Sequence, residues 1–145
     1  MSMDVRSILA GKGNQVAVIG TDATIETALE ELAHYDIGAL VISNDGDHIA
    51  GILSERDVAR GLREHGAAFL DRAVGDVMTT EVTTCGLDAS VPDLMAVMTE
   101  QRARHLPVVH DDRLVGLVSI GDVVKRRLDE LETLTEQMVQ YIQGH

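Results

Sequence analysis

Apolar positions along this 145-residue chain follow two rhythms, and the whole succession is written twice. Ile25, Ala28, Leu29 and Leu32 fall at i, i+3, i+4 and i+7, the spacing of a helix with one buried face, and Thr24 ahead of them offers a hydroxyl cap. The same spacing returns at Val91, Leu94, Met95 and Met98, behind Ser90. Residues 16–35 and 82–101 align without a gap: Val16 falls on Val82, Gly20 on Gly86, Asp22 on Asp88 and Ala23 on Ala89. After each helix come two short apolar runs rich in branched residues, "IGALVIS" then "HIAGILS" in the first copy, "HLPVVH" then "RLVGLVS" in the second. The turn residues "NDGD" (44–47) and "DDR" (111–113) lie between the runs, which predicts a hairpin in each copy.

A second helix then opens at Ser54–Asp57 and again at Ser119–Asp122, so the predicted order is strand, helix, strand, strand, helix, performed twice. The fold class expected is α/β, two β-α-β-β-α units related by a pseudo-twofold axis, over residues 5–66 and 74–128, with a C-terminal helix extension over 129–145. The boundary falls in "GAAFLDRAVGDVMTTE", and "VRSIL" (5–9) echoes "VGDVM" (74–78) ahead of each unit's first strand. A unit of about 60 residues is marginal alone, so the two are expected to pack sheet to sheet and share one core. The last helical pattern runs from Ile120 to about Gln143, and its stripe of Val124, Leu128, Leu131, Leu134, Met138 and Ile142 outlasts the repeat. Such a stripe either covers a partner subunit or folds back over its own module.

Charge narrows the partners. With 24 acidic residues against 12 basic ones the net charge is −12, which repels nucleic acid and anionic membranes at long range, and an aromatic content of 2% leaves no stacking platform for single strands. No apolar run approaches the roughly 20 residues of a membrane span, and "MSMDVRSILAGKG" lacks the apolar centre of a secretory signal, so the expected location is cytoplasmic. Cys85 is the only cysteine and reads as a small core residue. Six histidines without compact metal spacing, and no Walker or GxGxxG loop, argue against an enzyme, a metal site or a catalytic cofactor.

The duplicated order, "RHLPVV" (104–109) and the "GxxSxxDV" pattern closing both units resemble the cystathionine-β-synthase (CBS) domain pair, or Bateman module, over about residues 5–128. "SERDVAR", "MTEQRARHLPVV" and "LVSIGDVVK" are similar to a bacterial signal-transduction group of stand-alone pairs. That resemblance implies adenine nucleotides, AMP, ATP or NAD(H), held in clefts between the units, and disc-like homodimers; the downstream protein is not visible in the chain.

The chemistry suits such a ligand. An ionised carboxylate accepts hydrogen bonds from both hydroxyls of a ribose cis-diol, and Asp57 and Asp122 are the acids placed for it. Ser54 and Ser119 can cap the following helix or donate to a phosphate oxygen. Arg56 stands inside the first tetrad where Gly121 stands in the second, so the two clefts are unequal. Arg104 and His105 precede the second unit's middle strand where the first has Ile37 and Gly38, and with Lys12 in "AGKGNQ" they are candidates for a shared phosphate region. Thr83 is a candidate for the base, through its backbone or hydroxyl. The bland alternative is a dimeric interaction module that binds no nucleotide, its Ser-x-x-Asp tetrads serving only as helix starts.

Overall fold

The computed structural model describes residues 4–13 and 16–144. The first unit holds β1 (Val18–Ile19), α2 (Ile25–Tyr35), β2 (Ala39–Ile42), β3 (Gly51–Ser54) and α3 (Glu55–His65), and a helix α1 (Val5–Lys12) precedes it. A 3-10 segment (Gly66–Asp71) and a one-turn helix α4 (Val74–Val77) lead to the second unit, α5 (Val91–Gln101), β4 (His105–His110), β5 (Arg113–Ser119) and α6 (Ile120–Gln143). Both hairpins form as expected: β2 pairs antiparallel with β3, β4 with β5, and β1 adds a parallel edge to β2. Among the described residues no helix is long and apolar enough to cross a membrane.

The second unit departs from the expected order in having no first strand. A single parallel bridge, Cys85 to Val108, stands where β1 stands in the first unit. Its bonds run from the Cys85 N–H to the Pro107 carbonyl (3.0 Å) and from the Val109 N–H to the Cys85 carbonyl (2.9 Å). The next rung would need an N–H from Pro107 to the Thr83 carbonyl, and proline has none to give. The chain therefore leaves the sheet at Thr83.

A single shared core was expected, but two clusters of buried residues form. Leu40, Ile42 and Leu53 of one hairpin pack with Ile25, Ala28, Leu32, Val58, Phe69 and Val74. Leu106, Val108 and Val118 of the other pack with Val91, Leu94, Met98 and Val123, and also with Val5, Ile8 and Leu9. The helix that precedes each unit is thus packed into the other one. Val5 and Arg6 donate to the carbonyls of Ala89 and Leu87 (3.0 and 3.2 Å), and Val74 and Gly75 donate to those of Ala23 and Thr21 (2.7 and 2.9 Å), the same contact twice. Glycine makes room on both sides. A Cβ on Gly51 would lie 2.5 Å from Met78 Sδ, and one on Gly116 would lie 2.8 Å from the Leu9 methyls. The echo between "VRSIL" and "VGDVM" is the sequence trace of this exchange.

Candidate functional site

The exchange builds a cleft. Leaving α4, the chain crosses back along the first hairpin, where Thr79 trades two backbone hydrogen bonds of 3.0 Å with Ile52. Thr79, Glu81, Val82 and Thr83 then form one wall of a cleft of about 450 Å³; the start of α3, with Ser54, Arg56 and Asp57, forms another, and Arg102, Arg104 and His105 at the head of β4 close it. That volume is in the range of small-molecule sites.

All three Ser-x-x-Asp tetrads are capping boxes: Ser54–Asp57, Ser90–Asp93 and Ser119–Asp122. At the head of α3, Asp57 Oδ2 accepts from the Ser54 N–H (2.9 Å) and hydroxyl (3.0 Å), and Oδ1 lies 3.9 Å from Arg60. One oxygen fixes the helix start, and the other takes no part in the cap and has Arg60 as its ion-pair partner. The Glu55 N–H donates to the Gly38 carbonyl (3.0 Å) and the Asp57 N–H to the Ser54 hydroxyl (3.2 Å), which leaves the Arg56 N–H to an outside acceptor at the positive end of the helix.

The second carboxylate has different surroundings. Asp122 Oδ2 accepts from the Ser119 N–H (2.9 Å) and from Lys12 Nζ (2.6 Å), and the same ammonium donates to the Leu117 carbonyl at 2.9 Å. Burial penalises the Asp122 carboxylate, but the Lys12 ammonium and the Ser119 N–H outweigh it and hold the carboxyl below its usual range. The cavity beside it is about 220 Å³, lined by Lys12, Lys125, Arg126 and Asp129 among others. The pair is partly exposed and contributes about 1 kcal/mol or less to stability.

Of the nine residues nominated from the sequence, Ser54, Arg56, Asp57, Thr83, Arg104 and His105 come together in one cleft. Asp122 and Lys12 stand at the smaller cavity. Lys12 and Ser119, like Asp122, stand outside the cleft. Lys12 belongs to the last turn of α1 and not to a loop, and its ammonium is taken up by Asp122 without lining the cleft; Asn14 and Gln15 of that expected loop lie outside the described residues, as does His145. Ser119 accepts the Asp122 N–H at 3.1 Å, as Ser54 accepts that of Asp57, but lines neither cavity.

Two of the cleft's arginines, Arg60 and Arg102, are not among the residues nominated from the sequence. Arg60 is four residues after Arg56 on the same face of α3, a spacing visible in the sequence. Arg102 holds the left-handed position (φ 53°) that ends α5, matching Asp36 (φ 51°) after α2; an arginine where glycine is the undemanding choice was the available signal. Four of the chain's ten arginines therefore face three carboxylates, Glu55, Asp57 and Glu81, in one cleft of a molecule with net charge −12. His105 packs over Gly38, where a Cβ would sit 3.2 Å from its Nε2. Burial first, then the Lys12 charge, lowers its pKa from the ordinary value and favours the neutral imidazole. Cys85, as expected, packs against the second core, and burial pushes its thiol up to about 11.

The CBS-domain family model matches residues 6–64 and 74–129. The CBS-domain containing protein ATU1752 from Agrobacterium tumefaciens is 40% identical, with a TM-score of 0.83 over 86% of this chain and 99% of that one. The mitochondrial CBS domain-containing protein CBSX3 of Arabidopsis thaliana is 37% identical over 128 residues, 86% of this chain and 62% of its own length. The CBS domain pair of MJ0100, solved in complex with 5′-methylthioadenosine and S-adenosyl-L-methionine, shares the fold at 23% identity and a TM-score of 0.79, over 90% of this chain and 99% of that one. With both units matched over most of its length, this chain belongs to the CBS-domain family as a tandem CBS pair, a regulatory module with a long C-terminal helix.

Proposed function

We propose that this chain is a cytoplasmic, non-enzymatic sensor that binds an adenine nucleotide, AMP, ATP or NAD(H), in the Asp57 cleft and works as a homodimer. The observation that carries the reading is the convergence of four arginines with one capped carboxylate. The Asp57 oxygen outside the cap accepts from the ribose diol, while Arg56, Arg104 and the Arg56 N–H take phosphate oxygens; charge-assisted bonds of this kind contribute roughly 1.5–3 kcal/mol each. The Thr83 carbonyl, which Pro107 cannot engage, is an acceptor for the exocyclic amino group of adenine. The adenosine compounds bound by the MJ0100 pair are consistent with this chemistry. Binding across a cleft walled by both units favours one relative arrangement of them, and α6 carries that preference outward.

The alternative is a dimeric interaction module without a nucleotide, and one observation favours it: all three tetrad aspartates are engaged in helix caps. Arg104 separates the two readings because its side chain caps nothing, and its carbonyl, which accepts the Ile120 N–H at 2.8 Å, is kept in an alanine variant. Titration calorimetry and thermal shift with AMP, ADP, ATP, NAD, NADH and S-adenosylmethionine should show binding by at least one. At 100 times the dissociation constant the fold gains about 2.7 kcal/mol, a melting shift of roughly 5–10 °C. Arg104→Ala should abolish most of that shift while leaving the ligand-free melting point unchanged. No binding by any of the six compounds refutes the sensor.

A further inference from the structure

The last helix carries a pattern that the cleft does not use. Residues 131–144 are exposed throughout, and the apolar side chains of its stripe stand 44–72% exposed. An unsupported helical stretch of this length is marginal in water, since isolated helices shorter than about 12–15 residues rarely persist. The stripe is also symmetric. Starting at Ile120, its gaps run 4, 4, 3, 3, 4 and 4 residues, the same from either end, with Leu131 at the centre.

We propose that α6 packs against α6 of a second copy of this chain, antiparallel, about a twofold axis at Leu131. This inference specifies the homodimer of the reading above and does not depend on nucleotide binding. In that arrangement Ile120 meets Ile142 of the second copy, Val124 meets Met138, Leu128 meets Leu134, and Leu131 meets itself. At about 100° per residue all seven lie within a sector of roughly 120°, one face of the helix. A twofold interface requires a self-complementary patch, and a stripe that reads alike in both directions is one. The exposed second half of each helix then lies along the first half of the other, which is the half attached to the folded body.

Charge selects the antiparallel order. The cations of α6, Lys125, Arg126 and Arg127, lie in its first half with Asp122, Asp129 and Glu130, and Glu132 and Glu136 lie in the second. Antiparallel pairing brings the turn at 125–127 level with Glu136 of the second copy, twice by symmetry, whereas in-register parallel pairing sets that turn level with the same cations. Glu130 and Glu132 stand one residue either side of the axis, and of the two Glu130 is already neutralised by Arg127 at 2.9 Å.

Sedimentation equilibrium of the full chain tests this. The wild type should have twice the chain mass at micromolar concentrations, and Leu131→Glu, which brings two carboxylates together on the axis, should be monomeric with its far-ultraviolet dichroism retained outside α6. Lys125→Glu and Glu136→Lys should each weaken association by roughly tenfold, and the double variant should recover it. A wild-type chain that stays monomeric overturns both the dimer and this interface. A dimer indifferent to Leu131→Glu overturns the interface alone, and single charge variants not rescued by the double overturn the antiparallel order.

Discussion

Asp57 and Asp122 began as equivalent residues in a repeat, and their neighbours make them different. Asp57 keeps one oxygen clear of its cap and faces four arginines; Asp122 has a lysine at 2.6 Å and a cavity of half the volume. Calorimetry on the wild type should accordingly resolve one nucleotide per chain. Lys12→Ala, by uncovering the second carboxylate, should add a second and weaker event. Two equivalent events in the wild type would show that the lysine is no obstacle. His105 gives a pH test. Its folded-state pKa lies below the ordinary value, so the unfolded chain binds the extra proton first, and stability is lost as pH falls through about 6.5. Melting at pH 7.5 and 5.5 should show a larger loss for wild type than for His105→Gln. His48 works in the opposite direction, since its bond to Asp45 raises its pKa, but it is common to both proteins and drops out of the difference.

At the scale of elements, the caps and the exchanged helices decide local stability. Ser54→Ala removes the acceptor for the Asp57 N–H and should cost about 1 kcal/mol in a denaturant titration, with or without nucleotide. Leu9 belongs by chain order to the first unit and by packing to the second. Leu9→Ala should cost roughly 2–5 kcal/mol, and hydrogen exchange should locate the loss in β4 and β5 and leave β2 and β3 protected. Faster exchange in β2 and β3 instead would mean that α1 supports its own unit. These elements were legible where the information was local. The capping hydroxyls, the i, i+3, i+4 spacing and the turn residues between apolar runs gave α2, α3, α5, α6 and both hairpins their places. The missing first strand of the second unit turned on the one residue opposite it, Pro107, whose effect appears only once β4 and the 82–86 stretch are paired.

For the whole molecule, the sequence by itself determined the duplication, the α/β class, the two hairpins, the capped helices and the apolar stripe of α6. Each of these follows from side-chain periodicity or from hydrogen bonds reaching three or four residues, which hold whatever the rest of the chain does. Tertiary structure alone decided that two cores form instead of one, that each lead-in helix crosses to the other unit, that Arg60 and Arg102 join Arg56 and Arg104 around one cleft, and that Lys12 is taken up by an aspartate 110 residues away. These outcomes depend on the angle and depth at which distant elements pack, and a charged side chain several ångströms long takes whichever partner that packing brings within reach.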